Sequence, residues 1–262
     1  MKAASRREST MTMCCAGIDI GSRAIKLVVV ENGKIVAHRQ TDTGYNPMAE
    51  TRKLLQGVSY ERILATGYGR GQFEVDFDAP TVTEIKAHAA GARYFFPEAA
   101  TVLDIGGQDS KAIALMANGK VKKFEMNDRC AAGTGKFLEI MARSLGYDID
   151  AFGREALLTE KDVNISSMCT VFAESEVTSL IAKGQDRREI ARGLHASVIR
   201  RAAGMINRVS VDGDIVFTGG VAKNPCMRKL LAEKLGRTVL VPRDPRLIGA
   251  LGAALLAKEE NR

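Results

Sequence analysis

Two stretches of this chain follow one plan, 85 positions apart, and that repetition limits the folds open to it. Asp19-Ile20-Gly21-Ser22 closes a short apolar run from Cys15, and Asp104-Ile105-Gly106-Gly107 closes another from Val102. Each aspartate is followed seven positions later by a lysine, Lys26 and Lys111, and each unit then reaches an Asn-Gly dipeptide, Asn32-Gly33 and Asn118-Gly119. Asn-Gly between β-rich runs is a strong hairpin signal, because the tight turn needs positive φ at both positions. Each copy predicts antiparallel strands, and the pair predicts an α/β protein of two similar domains facing each other across a cleft. Chance supplies one Asp-Ile-Gly more readily than matching lysines and turns as well.

The remaining elements fit between and after these copies. A helix is expected over 47–56, then a strand Arg62-Ile63-Leu64-Ala65 ending in Thr66-Gly67-Tyr68-Gly69-Arg70. Residues 83–92 read as a helix whose small side chains permit close packing, a plausible hinge between the domains. Phe137, Ile140, Met141, Ser144 and Leu145 recur at helical steps up to Gly146, which places Cys130 at a helix N-terminus. Cys169 opens a second helix that stops at Lys183-Gly184. A long helix over 187–207, strands over 214–217 and 239–241, and a final helix from Ile248 complete the chain. The expected organisation is a first domain of 14–82 plus 246–262, a second of 83–245 carrying Cys130 and Cys169, and a loose tail over 1–13.

Bulk properties narrow the class. With 262 residues, 45% apolar and 26% charged, the chain is globular and long enough for two modest domains. No apolar run is long enough to span a membrane and no signal-peptide core is present, so a cytoplasmic protein without membrane attachment is expected. Five cysteines without a C-x-x-C pair exclude a self-contained zinc site. The net charge of +7 comes from scattered residues and no nucleic-acid motif accompanies it, so nucleic acid ranks last among partners.

Gly21-Ser22 and Gly106-Gly107 follow a strand and an aspartate, where backbone amides can approach phosphate oxygens without a Cβ in the way. Either alone reads as an ordinary hairpin turn. Together with Gly219-Gly220-Val221 at a strand-to-helix step they point to nucleotide, and neither Walker A nor G-x-G-x-x-G is present. Gly133, Thr134, Gly135 and Lys136 are expected beside the same nucleotide. Asp19 and Asp104 are the candidate holders of Mg²⁺ through water. Gln108 or Asp109 could orient an attacking water, and Lys26 or Lys111 could neutralise phosphate charge, against the alternative that both lysines occupy solvated strand faces. At helix starts, Cys130 and Cys169 would favour thiolate.

This ordered set resembles the acetate and sugar kinase, Hsp70 and actin superfamily over about residues 15–258, which implies two ribonuclease-H-like, actin-like ATPase domains. Ala65–Arg70, Met126–Gly135 and Ile165–Glu176 more narrowly resemble the activator, component A, of 2-hydroxyacyl-CoA dehydratases. The resemblance implies a homodimer in which Cys130 and Cys169 of both copies hold one oxygen-sensitive [4Fe-4S] cluster. It implies that ATP hydrolysis to ADP drives a low-potential electron into the dehydratase, component D, with ferredoxin or flavodoxin as donor. An ATP-binding subunit of a benzoyl-CoA reductase, or a non-redox kinase or regulatory ATPase, is the alternative. Cys14, Cys15 and Cys226 are read as non-ligands.

Overall fold

The computed structural model describes residues 13–161, 163–167, 169–210 and 212–259, so the expected tail lies, apart from Met13, outside the described residues. The first unit comprises β1 (Cys14–Ile20), β2 (Ala24–Glu31) and β3 (Lys34–Asp42), consecutive and antiparallel. β4 (Arg62–Thr66) joins parallel to β1, giving the order β3-β2-β1-β4. Asn32 and Gly33 both hold positive φ, 51° and 76°, as their hairpin requires. The second unit repeats the plan with β5 (Thr101–Ile105), β6 (Ser110–Leu115), β7 (Val121–Asn127) and β8 (Ile215–Thr218). β9 (Val239–Leu240), two residues rather than the three expected, extends that sheet to the order β7-β6-β5-β8-β9.

The seven-residue spacing now has a physical meaning: Asp19 stands opposite Lys26, and Asp104 opposite Lys111, in the antiparallel ladders. The repeat also runs deeper than sequence analysis recognised. Asp19 is the parallel neighbour of Thr66 and Asp104 of Thr218, and the next residue in both cases is a glycine at positive φ, Gly67 at 93° and Gly219 at 86°. A Cβ on Gly67 would stand 2.6 Å from Asp19 Oδ1, and one on Gly219 would stand 2.2 Å from Ile105 O. Both Thr-Gly steps let the chain cross closely over the end of an aspartate-bearing strand.

Helices cover both faces of each sheet. Ile18, Ile25, Leu27 and Val29 of the first sheet pack with Met48 of α1 (Pro47–Leu55) and Phe73 of α2 (Arg70–Phe77). Val28 and Val30 point the other way, onto α9 (Ile248–Ala257). In the second sheet Val102, Ile113 and Val216 meet α3 (Glu84–Phe95). Leu103, Ile105 and Phe217 of the same sheet meet a larger core built with α4 (Gly135–Ser144), α5 (Ile149–Ala156), α7 (Arg187–Val209) and α8 (Pro225–Leu235). α6 (Thr170–Ala182) packs outside α4 and α7. The centre is thus a stack of sheet, α9, α3, sheet.

α3 confirms the expected small-residue helix, with Thr83 Oγ1 accepting from Lys86 N at 3.4 Å to cap it. Two eight-residue helices, α2 and α5, were not anticipated; α2 buries only Phe73, which leaves no apolar period to read, and α5 is interrupted by Gly153. No helix among the described residues is long and apolar enough to cross a membrane.

The seam between α3 and α9 admits no additional atoms. A Cβ on Gly252 would lie 1.7 Å from Ala87 O, and one on Gly91 would lie 2.2 Å from Ile248 O. We expect Gly252→Ala to lower stability by about 1–3 kcal/mol, the usual cost of overpacking. An unchanged urea midpoint would mean that the seam opens without penalty.

Candidate functional site

The two aspartate-terminated turns face each other. A Cβ on Gly107 would stand 3.2 Å from Arg23 Cβ and 3.8 Å from Ser22 Oγ, so the turn of one unit touches the turn of the other. Gly21 N–H donates to Ala24 O at 3.2 Å and Gly106 N–H to Asp109 O at 3.0 Å, which closes each turn. α4 docks against the second turn: Gly135 N–H donates to Gly106 O at 2.9 Å and Lys136 N–H to Gly107 O at 2.8 Å. On the far side of Gly135, Val221 Cγ2 lies 3.3 Å from where its Cβ would be, which brings the 3₁₀ turn Gly220–Lys223 to the same place. Gly21, Ser22, Gly106, Gly107, Gly133–Lys136 and Gly219–Val221 therefore gather in one region, with Gln108 exposed at the tip of the second turn. Arg23 Nη1 to Glu139 of α4, at 3.4 Å, adds an exposed ion pair across it.

The two aspartates differ in their surroundings. Asp19 Oδ2 is paired with Lys26 Nζ at 3.1 Å. Asp104 is buried, with Thr218 Oγ1 donating to Oδ1 at 2.8 Å, His88 Nδ1 3.3 Å from Oδ1, and Lys111 Nζ 3.6 Å from Oδ2. Burial pushes its pKa up, and His88, Lys111 and the Thr218 hydrogen bond more than reverse that, leaving it below the ordinary carboxylate value. Lys111 corrects the reading of its side chain as a solvated strand residue. It is 1% exposed and held by Glu84 at 2.7 Å, Asp109 at 2.7 Å and Asp104. Burial would favour the neutral amine, but the three carboxylates raise its pKa instead. Asp109 is pushed up by burial and by the neighbouring Asp104 and Glu84. Sequence analysis assigned no role to His88 or Glu84; the available signal was two ionisable residues four apart, on one face of the same helix.

The cysteines occupy a different kind of segment from the one expected for Cys130. α4 begins five positions after it, because Gly133 sits at φ 95° and Thr134 is extended at φ −124°, ψ 172°. Cys130 is therefore in a loop, shaped by Asn127 Nδ2 donating to Cys130 O at 2.9 Å and Ala132 O at 3.1 Å. The two leading amides of α4 are engaged by the glycine turn rather than open to an anion. Cys169 does cap α6, its carbonyl accepting from Ala173 N at 2.9 Å. Ahead of it, Ser166 and Ser167 N–H groups donate to Glu176 at 3.0 and 2.9 Å. Arg201 of α7 ties the two segments together. Its Cδ is 3.5 Å from where a Cβ on Gly133 would be, and its Nη2 donates to Ser167 O at 3.4 Å.

The model of the BadF/BadG/BcrA/BcrD ATPase family matches residues 16–257. This chain belongs to that family. As a BadF/BadG/BcrA/BcrD ATPase it has the two-domain ribonuclease-H-like fold shared with actin-like ATPases and sugar kinases. The activator of lactoyl-CoA dehydratase from Anaerotignum propionicum is 44% identical over 256 residues, 94% of this chain and 98% of the relative. The crystal structure of (R)-2-hydroxyglutaryl-CoA dehydratase component A from Acidaminococcus fermentans is 40% identical, covers 95% of this chain and 98% of its own, and superposes with a TM-score of 0.87. The activator of 2-hydroxyisocaproyl-CoA dehydratase from Clostridium difficile, solved with bound ADPNP, is 38% identical over 95% of this chain and 99% of its own, with a TM-score of 0.85.

Exposure separates the five thiols of this family member. Cys130 and Cys169 are exposed, Cys14 is half-buried, and Cys15 and Cys226 are buried. Burial pushes the Cys226 thiol up to about 12, where little thiolate forms at neutral pH. In metal-free protein, iodoacetamide should alkylate Cys130 and Cys169 well before Cys15 and Cys226, as read by peptide mass mapping. Labelling of Cys226 at the same rate as Cys130 would contradict this order.

Proposed function

We propose that the chain is an ATP-dependent activator that delivers a low-potential electron to a 2-hydroxyacyl-CoA dehydratase. The observation that carries the reading is the docking of α4 on the second glycine turn, through Gly135 to Gly106 O and Lys136 to Gly107 O. It makes one body of a phosphate-facing turn and the loop that bears Cys130. The names of the relatives above and the ADPNP bound to one of them support both the partner and the nucleotide.

In this reading the turns closed by Gly21 and Gly106 present the Ser22 amide and hydroxyl and the Gly107 amide to phosphate oxygens, and Lys26 supplies the nearby positive charge. Gly133–Lys136 and Gly219–Val221 border the nucleotide. Asp19 and Asp104 hold Mg²⁺ through water, which suits Asp104 because its oxygens are already engaged by Thr218, His88 and Lys111. Gln108, exposed at the tip of the turn, or Asp109 beside it orients the water that attacks the terminal phosphate. Lys111, enclosed by Glu84, Asp104 and Asp109, acts on this site as a counter-ion for those carboxylates. The same reading divides the chain into 14–82 plus 246–262 and 83–245.

Cys130 and Cys169 fit a [4Fe-4S] cluster shared by two copies. Each chain offers two exposed thiols, and the described residues contain no group of three or more His, Cys, Asp or Glu disposed around an ion, whereas such a cluster takes four thiolates. Exposed Val171 and Phe172, two and three positions after Cys169, provide an apolar face for the second copy. The cluster, when bound, supplies one-electron transfer, with a ferredoxin or flavodoxin as the class of donor.

Anaerobically purified protein should contain about four irons per dimer. Cys130→Ala or Cys169→Ala should abolish iron and sulfide binding, while Cys14→Ala, Cys15→Ala and Cys226→Ala retain it. A full cluster in Cys130→Ala would sink the ligand assignment. Asp104→Asn should slow ATP turnover by about 10- to 100-fold with the cluster retained. Unchanged turnover in cluster-loaded Asp104→Asn would remove that residue from the site.

A further inference from the structure

His88 takes no part in the phosphate turns, yet it stands between carboxylates contributed by the two sheets. It lies on α3 and is buried, with Nδ1 at 3.3 Å from Asp104 Oδ1 and 3.5 Å from Thr218 Oγ1. Its other nitrogen faces the first sheet. The point where a Cβ on Gly249 of α9 would stand is 3.1 Å from His88 Nε2 and 3.2 Å from Asp19 Oδ2. The imidazole thus extends from Asp104 towards Asp19 through a gap that exists because position 249 carries no side chain.

The chemistry of the contact is directional. An ionised carboxylate only accepts, so the approach of Nδ1 to Asp104 is attractive when Nδ1 carries a proton. With Thr218 donating to the same oxygen and Lys111 beside the other, three protein groups hold one buried carboxylate. The first sheet lacks this arrangement. Lys26 is the one side-chain partner of Asp19 among the described residues, and the hydroxyl of Thr66, the repeat counterpart of Thr218, has no hydrogen-bond partner. Fixation by a hydroxyl and an imidazole together is thus confined to the Asp104 half of a near-symmetric pair.

We propose that His88 is a positioning residue that locks Asp104 against Thr218 and sets its separation from Asp19, and hence where a nucleotide-bound Mg²⁺ is held. The inference rests on the reading of Asp19 and Asp104 as the ion-holding pair. A group outside the first coordination sphere that orients a ligand typically changes metal affinity or activity by 10- to 100-fold.

Two variants test it. His88→Ala removes both ends of the imidazole, whereas His88→Asn keeps an N–H donor where Nδ1 stands. At saturating ATP, His88→Ala should need about 10- to 100-fold more Mg²⁺ for half-maximal turnover and lose turnover in the same range, with Mg²⁺-free ADP affinity unchanged. His88→Asn should recover most of both losses. Equal losses in the two variants with an unchanged Mg²⁺ requirement would mark His88 as packing and overturn the proposal. Crystal structures of the variants read the geometry without turnover: Asp104 should leave Thr218 in His88→Ala and stay in His88→Asn. An unmoved Asp104 in His88→Ala overturns the proposal even if the wild-type protein hydrolyses no ATP, a result that would itself count only against the functional reading.

Discussion

The close approach of α3 and α9 is the constraint on which the rest of the structure depends. Each sheet carries its aspartate at the end of its first strand, and the two sheets pack on each other through this pair of helices. Gly91 and Gly252 bring the backbones into contact with each other, and Gly17 brings α9 onto β1, where a Cβ would stand 2.0 Å from Ala250 O. Glycine within a helix costs about 1 kcal/mol relative to alanine, and α9 offsets it by burying residues on every side. A helix that is apolar all round is stable only when enclosed, and here two sheets enclose it.

Charge is arranged around the same seam. Three carboxylates, Glu84, Asp104 and Asp109, surround one ammonium, Lys111, so the cluster has excess negative charge before any ligand arrives. A buried charge is tolerable when paired and hydrogen-bonded, which Lys111 achieves by turning inward rather than towards the turns. The surplus suits a divalent cation close by, and it adds to burial in pushing the pKa of Asp109 up, through Asp104 and Glu84.

Much of this was legible in the chain itself, for reasons that can be stated residue by residue. Asn32-Gly33 encodes its turn locally, and a lysine seven positions after an aspartate is the length of a tight hairpin, so the antiparallel strands of both units could be read without tertiary knowledge. The burial of Lys111 could not, because it depends on Glu84 arriving from α3. Nor could the role of Thr66-Gly67, since its equivalence to Thr218-Gly219 lies in parallel pairing between strands distant in sequence. Cys130 was misplaced by one turn of reasoning: the apolar period of α4 is real, but Gly133 adopts a backbone angle that no helix continues through. His88 was hidden by its isolation, a single imidazole whose partners come from β5, β8 and α9.

The joint between α4 and the second glycine turn has one more consequence. The amides of Gly135 and Lys136 are adjacent, as are the carbonyls of Gly106 and Gly107 that receive them. Neighbouring bonds of this kind share one rigid backbone on each side, so neither can lengthen far without the other. A joint of that sort is either seated or unseated and has no stable half-way setting. In an incompletely loaded sample, any property sensed through the cysteine loop would then vary as the proportion of two fixed species and leave an isosbestic point, instead of sliding continuously from one value to another.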